Sequence, residues 1–291
     1  MPDALTIGLA FTNLFAWGFA DIAAKRSLGG LTFWQLTLYF QAVSLALLIP
    51  VSIAVGALRL PLFDKAPLLF IAGILNVIAY MFFNFGLARG IVSTVTPISS
   101  AWGVIATTLA IFLFGEVVLP LKLAAIILTF VGLSLLTVEW KGARFTKTSL
   151  QAGAGPALAA MLSWAAVILI LKPVSQSFGG FETILWFRII GVSATATLFL
   201  ARRFPVRPAA GSTWVTSLTL ASIAGVLDVT GFLAYTANIV RNDFSTIVPI
   251  VASNPVVAVL GARALLGDRV RWWQGLGIGL ILLGIIGIAF Q

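Results

Sequence analysis

GILNVIAYMFFNFGLARGIVSTVTPISSAWGVIATTLAIFLFGE, running from Gly73 to Glu116, returns at Gly225 to Asp268 as GVLDVTGFLAYTANIVRNDFSTIVPIVASNPVVAVLGARALLGD. A shift of 152 positions places Arg89 on Arg241, Ser93 on Ser245, Thr94 on Thr246, Pro97 on Pro249, Gly115 on Gly267 and Glu116 on Asp268. The register marks an internal duplication, and a repeat of this length decides the architecture before any local reading. It continues past the stretch, since Gly132 falls on Gly284. Upstream, AWGFADIAAKRSLGG at Ala16 to Gly30 pairs with SWAAVILILKPVSQSFGG at Ser163 to Gly180, aligning Trp17 with Trp164 and Lys25 with Lys172.

The duplicated units lie in a chain of 291 residues that is 60% hydrophobic and only 9% charged, with a mean hydropathy of +1.09. Soluble domains carry about 25% charged residues, so this chain cannot cover a water-facing surface. It reads as a multispanning membrane protein with no water-soluble domain. The net charge of +9 comes from Lys and Arg in short links between apolar runs, where they meet lipid headgroups, and nucleic acid is not an expected partner. Cys and His are both absent, which removes disulfides and the common metal and haem ligands, and no cofactor is expected. The N-terminal run lacks a basic region and a small-residue cleavage site, so it is expected to be kept as the first span.

About twenty residues cross a hydrocarbon core of ~30 Å as a helix, and ten such segments can be counted. They begin at Thr6, Leu31, Ala66, Ile91, Leu119, Pro156, Phe181, Trp214, Phe244 and Trp273. The polar stretch EWKGARFTKTSLQAGAG, Glu139 to Gly155, divides them five and five. The expected fold is therefore an all-α membrane protein of ten transmembrane helices, formed by a first repeat over 1–140, a linker over 141–155 and a second repeat over 156–291. Five is odd, so the second repeat crosses in the opposite sense, and inverted repeats of this kind frame a midplane site in many secondary transporters. Lys and Arg in the odd-numbered links number eleven, Lys141, Arg144, Lys147, Arg207 and Arg269 among them, against five in the even-numbered links. That bias places both termini outside the cytoplasm.

Polar groups inside spans are functional candidates, because hydrocarbon offers them no partner. Pro97 and Pro249 follow Ser-Thr pairs at equivalent positions of the fourth and ninth spans, where a lost backbone donor frees carbonyls and makes a kink or gate. Trp17, Trp102 and Trp164 lie within their spans, away from the interfacial belt that Trp usually occupies. Together with Asn76, Tyr80, Asn84, Tyr235 and Asn238 they are expected to bind a solute, against the plain alternative that they fill space between helices. Among ionisable groups Asp21, Arg188, Asp228 and Arg263 fall within spans. Asp228 takes the slot of Asn76, and Arg188 is expected to pair with it or to hold a substrate carboxylate. An unpaired Asp21 would point to a cationic solute. Glu116 and Asp268, after Gly115 and Gly267, read as structural caps on the spans that follow them. The small-residue run GLGIGLILLGIIG, Gly275 to Gly287, is expected to pack closely on another helix of the chain or of a second copy. No phosphate loop, metal cluster or carboxylate pair is present to suggest an enzyme.

The AWG of the first span, STVTPISS, the FGE terminus and the glycine of the following span resemble the drug/metabolite transporter superfamily, and within it the EamA family of ten-span carriers. The resemblance covers essentially the whole chain, with Asp268 replacing the Glu usual in the second half. It implies a carrier in the bacterial inner membrane, both termini in the cytoplasm, that exports small solutes. The aromatic-rich spans are most similar to exporters of aromatic and other neutral amino acids. Nucleotide-sugar or organic-cation carriers share the fold, and a structural or lipid-moving membrane protein is the alternative of another class. The expected partners are a small-molecule substrate and membrane lipids, with the chain acting as a monomer and a homodimer as the alternative.

Overall fold

A computed structural model describes residues 2–61, 64–137, 153–205, 213–241, 244–268 and 271–290. Residues 141–152 of the expected linker lie outside them, with Lys141, Arg144 and Lys147, as do Arg207 and Arg269. The first repeat holds α1 (Ala4–Ser27), α2 (Phe33–Ala54), α3 (Ala66–Arg89), α4 (Val92–Ser100), α5 (Trp102–Phe114) and α6 (Pro120–Thr137). The second holds α7 (Ala154–Phe178), α8 (Gly180–Arg202), α9 (Trp214–Ile239), α10 (Phe244–Val251), α11 (Pro255–Leu266) and α12 (Trp272–Ala289). Among the described residues, nine segments are long and apolar enough to cross a membrane when α4–α5 and α10–α11 each count as one, and the shorter apolar α6 supplies a tenth.

Local chemistry sets the helix starts. Asp3 accepts the Thr6 N–H at 2.7 Å at the head of α1. Thr32 and Gln35 form a reciprocal capping box on α2, satisfying two otherwise orphaned donors. At their far ends α5 and α11 stop on Gly115 and Gly267, whose φ angles of 64° and 76° are left-handed, a conformation open to residues without a Cβ.

The fourth and ninth spans differ from the sequence expectation. Each is two helices, and neither breaks at its proline. Pro97 lies inside α4, and the chain breaks four residues later at Ala101; Pro249 lies inside α10, and the break spans Ala252 to Asn254. The proline's missing donor frees a carbonyl one turn earlier, and for Pro97 that carbonyl, on Ser93, takes the Gln274 amide at 3.5 Å. The interruption falls where hydroxyls turn back on the chain: Ser99 Oγ donates to the Thr96 carbonyl at 3.0 Å and Ser253 Oγ to that of Pro249 at 2.6 Å. Pro173 lies inside α7.

The repeats interlock. α1 packs mainly on α9 and α7 on α3, while α2 meets α9 as α8 meets α3, and α5 meets α10 as α4 meets α11. Each of these pairs has its mirror under the duplication, which gives the inverted five-helix repeats their symmetry. Matched glycines allow two of the approaches: a Cβ on Gly73 would lie 2.6 Å from Ile190 of α8, and one on Gly225 would lie 2.5 Å from the Phe40 carbonyl of α2. The small-residue run of α12 packs on α6 of the same chain.

At that crossing a Cβ on Gly132 would stand 2.5 Å from the Gly277 carbonyl oxygen and 2.8 Å from the Ile281 nitrogen, both backbone. Gly132→Ala is expected to destabilise the protein by about 1–3 kcal/mol, as overpacking does, and to lower its melting temperature in detergent. Gly279 of α12 has nothing within 4 Å of its Cβ position, so Gly279→Ala should be neutral or stabilising by up to ~1 kcal/mol. Equal melting of the two variants would refute the tight crossing.

Candidate functional site

α1, α3, α5, α7 and α9 each turn an aromatic side chain toward a common interior, and a cavity with about 650 Å³ of empty space, part of it running into open solvent, lies between them. Trp17, Tyr80, Phe83 and Trp102 wall it from the first repeat, and Trp164 and Phe232 from the second.

The two indoles at equivalent positions are held alike. Trp17 Nε1 donates to the backbone oxygen of Asp228 at 3.4 Å, and Trp164 Nε1 donates to Asn76 Oδ1 at 3.3 Å. Asp228 and Asn76 share one slot of the duplication, so each Trp is oriented by that slot of the opposite repeat. Trp17 stands edge-on to Trp102, centroids 6.3 Å apart at 74°, and Trp164 edge-on to Tyr80, 5.3 Å apart at 83°. Both arrangements are favoured by the ring quadrupoles.

Six of the ten residues expected to bind solute line the cavity: Trp17, Tyr80, Asn84, Trp102, Trp164 and Asp228. The other four do not, and each has a local reason. Asn76 sits behind Trp164 as its acceptor. Tyr235 is fully buried and stacks on the far side of Trp17, centroids 6.1 Å apart. Asn238 donates to the Thr6 carbonyl at 2.8 Å, and with Asn13, which donates to the Gly231 carbonyl at 2.6 Å, it ties α1 to α9. Arg188 is wholly buried and donates from Nη2 to Asp228 Oδ2 at 2.6 Å. Its guanidinium also lies 5.2 Å from the Phe232 ring centroid. Asp228 accepts further from the Tyr80 hydroxyl and from Ser44 Oγ at 3.4 Å. The arginine is thus a partner of Asp228, and it does not line the cavity.

The lining also holds Asp21, an ionisable candidate of the sequence that was tied to a cationic solute, and Ser99, Ser100, Asn254, Phe40 and Ile168, which the site expectation did not include. Ser100 Oγ donates to Asn254 Oδ1 at 3.0 Å, joining the two helix breaks across the repeats. A signal for Asp21 was present, since it lies four residues after Trp17 and shares its helix face.

The acids that close α5 and α11 do cap helices, but in the opposite repeat and not the spans that follow them. Glu116 accepts the N–H groups of Phe244 and Ser245, the first turn of α10, at 2.8 and 2.9 Å, and the Lys172 ammonium at 2.8 Å. Asp268 accepts from the Ser93 N–H at 3.3 Å and from its hydroxyl at 3.1 Å, at the head of α4. Four orphan amides stand at each helix N-terminus beside its positive dipole end, which is what a carboxylate satisfies. Lys25, equivalent to Lys172, donates to the Leu87 and Gly90 carbonyls at 2.6 and 2.7 Å, at the end of α3.

In sequence, the chain matches the EamA-like transporter family twice, over residues 4–138 and 151–290. In structure, it is similar to a protein solved by crystallography, with a TM-score of 0.75 and 19% identity over 99% of this chain and 96% of that one. At that identity the likeness concerns the fold. No curated protein matches the sequence.

Burial alone would raise the Glu116 carboxyl, but Lys172 and the two backbone donors outweigh it and hold it below its ordinary value of 4.5. A depressed carboxyl contributes stability that is present above its unfolded value and lost as pH falls through the folded one. Glu116→Ala leaves the nearly buried Lys172 without a counter-ion and should cost about 3 kcal/mol or more. Melting curves of the two proteins are expected to converge as the pH drops below about 4 and to stay apart at neutrality; a constant gap would contradict the cap.

Proposed function

The chain belongs to the EamA-like transporter family, and from that premise we propose that it exports solutes with an aromatic or other neutral body, aromatic and neutral amino acids among them, across a bacterial inner membrane. The coarser part needs no proposal: it is a multi-pass membrane transporter of small molecules. The finer reading is supported above all by the cavity between the repeats, walled by Trp17, Tyr80, Trp102 and Trp164. Rings meeting edge to face present flat apolar surfaces at which an aromatic side chain can stack, while Ser99, Ser100, Asn84 and Asn254 offer hydrogen bonds at the rim of the helix breaks. A nucleotide sugar would ask for cations against its phosphates, and among the described residues no Lys or Arg lines the cavity.

Alternating access follows from the inverted repeat. The packing refines which bodies rock. Because α1 lies on α9 and α7 on α3, the moving units are expected to be interleaved bundles built on α1–α9 and on α3–α7, not the sequence halves 1–140 and 156–291. The cavity lies between these bundles, and the broken helices α4–α5 and α10–α11 border it through Ser100 and Asn254.

Proteoliposomes holding the purified chain are expected to move radiolabelled phenylalanine, tryptophan or another neutral amino acid down its gradient. Trp102→Ala and Trp164→Ala should each lower transport roughly tenfold, the loss of an aromatic contact worth about 1.4 kcal/mol. The reading fails if no amino acid moves, or if both variants transport like the parent.

A further inference from the structure

The cavity holds a carboxylate that has no ionic partner among the described residues. Asp21 lies one helical turn beyond Trp17 on α1, between Ala20 and Ala24, and faces the same space. Its side chain is partly open to the cavity, and none of the described ion pairs includes it. Each nearby charge is otherwise engaged. Asp228, the other carboxylate of the lining, is bound by Arg188, Tyr80 and Ser44. Arg188 is turned to Asp228 and does not line the cavity. Lys25, one turn further along α1, donates to the Leu87 and Gly90 carbonyls. The Thr96 hydroxyl of α4 lies beside Asp21 and adds no charge. With both carboxylates ionised, Asp21, Asp228 and Arg188 sum to one excess negative charge.

A lone carboxylate in a membrane interior is costly, and such groups mark substrate or ion sites. An anion entering this space meets that charge with no free cation to offset it. An ammonium meets a carboxylate acceptor, and the faces of Trp17 and Trp102 beside it attract cations through their quadrupoles. Asp21 also breaks the symmetry of the repeats: in the alignment that pairs Trp17 with Trp164, its counterpart is Ile168, which lines the same cavity. One wall is charged and the equivalent wall is apolar, so a solute with one cationic end and one apolar end has a defined orientation.

We propose that Asp21 is the binding group for a primary ammonium on the solute, so that the carrier recognises aromatic amines and does not require the solute's carboxylate. The proposal rests on the aromatic-solute reading above and narrows it. The full chain in detergent is titrated calorimetrically with four probes sharing one aromatic body: phenethylamine, phenylalanine, 3-phenylpropionate and 3-phenylpropanol. Phenethylamine and phenylalanine are expected to bind, the propionate not to bind, and the alcohol to bind more weakly than the amine. In Asp21→Asn the preference for amine over alcohol should fall about tenfold or more, the worth of a hydrogen bond to a charged group, and Asp21→Glu should restore part of it. The four-probe series on the unaltered protein stands even if a variant folds poorly. The proposal is overturned if amine and alcohol bind alike, if the propionate binds as well as the amine, or if phenylalanine binds and phenethylamine does not. Failure of all four probes removes the aromatic-solute reading and this proposal with it, whereas binding of the alcohol equal to that of the amine removes the proposal alone.

Discussion

A backbone amide or carbonyl left unpaired in hydrocarbon costs several kcal/mol, yet this chain interrupts two of its spans, at Ala101 and at Ala252 to Asn254. The rest of the arrangement follows from satisfying those interrupted helices. Their outer ends are capped by Asp268 on α4 and Glu116 on α10, each reaching over from the other repeat. Their inner ends are met by the Ser99 and Ser253 hydroxyls, and the Ser100–Asn254 bond spans the gap between them. Irregular backbone is tolerated at membrane depth where it is buried in protein or lines a cavity, and here it does both. The cavity is thus a consequence of how the breaks are accommodated.

Around that opening, one ion pair fixes the positions of four helices. Asp228 of α9 receives Arg188 from α8, Tyr80 from α3 and Ser44 from α2, all with little or no solvent contact. A buried pair of this kind is not strong evidence for stability, since desolvating both charges offsets much of their attraction. Its effect here is geometric: Tyr80 and the Asp228 backbone oxygen also hold Trp164 and Trp17 through edge contact and hydrogen bond. Moving the pair would displace both aromatic walls.

The extent to which this was readable in the sequence follows from how local each determinant is. Spans and their division into two repeats rest on hydropathy and on a register that Arg89/Arg241, Pro97/Pro249 and Gly115/Gly267 make explicit, so the fold was legible. The walls Trp17, Trp102 and Trp164 were legible too, as large rings away from the interfaces. What could not be read are pairings that depend on which helix lies beside which. Glu116 looked like a cap for the span after it, but the amides it satisfies belong to Phe244 and Ser245. Asn238 looked like a solute ligand because it is polar within an apolar run, and a run does not reveal that the partner is Thr6; for Arg188 the sequence offered Asp228 or a substrate carboxylate, and could not say which. The position of the helix breaks was missed for a smaller reason: proline draws attention to itself, whereas the hydroxyls of Ser99 and Ser253 are common in membrane helices and bend them only in context.

Comparing the repeats position by position separates frame from site. Residues that hold the architecture recur: Gly73 with Gly225 at the α3–α8 and α9–α2 approaches, Ser93 with Ser245 under the acid caps, Trp17 with Trp164 on the cavity wall. Those that give the cavity its chemistry do not. Asn76 and Asp228 both take an indole N–H from the opposite repeat, but only Asp228 carries a charge, and only the second repeat supplies an arginine to meet it; the first repeat has Gln41 where the Trp17–Trp164 register places Arg188. The charge added at 228 is thereby cancelled within the protein. The one added at Asp21, opposite Ile168, is not. Two symmetric halves suffice to expose a central space alternately to either side, but by themselves they present it with equal walls. Discrimination among solutes has to come from the positions where the copies have diverged, and among the described residues lining this cavity Asp21 is the carboxylate without an ionic partner.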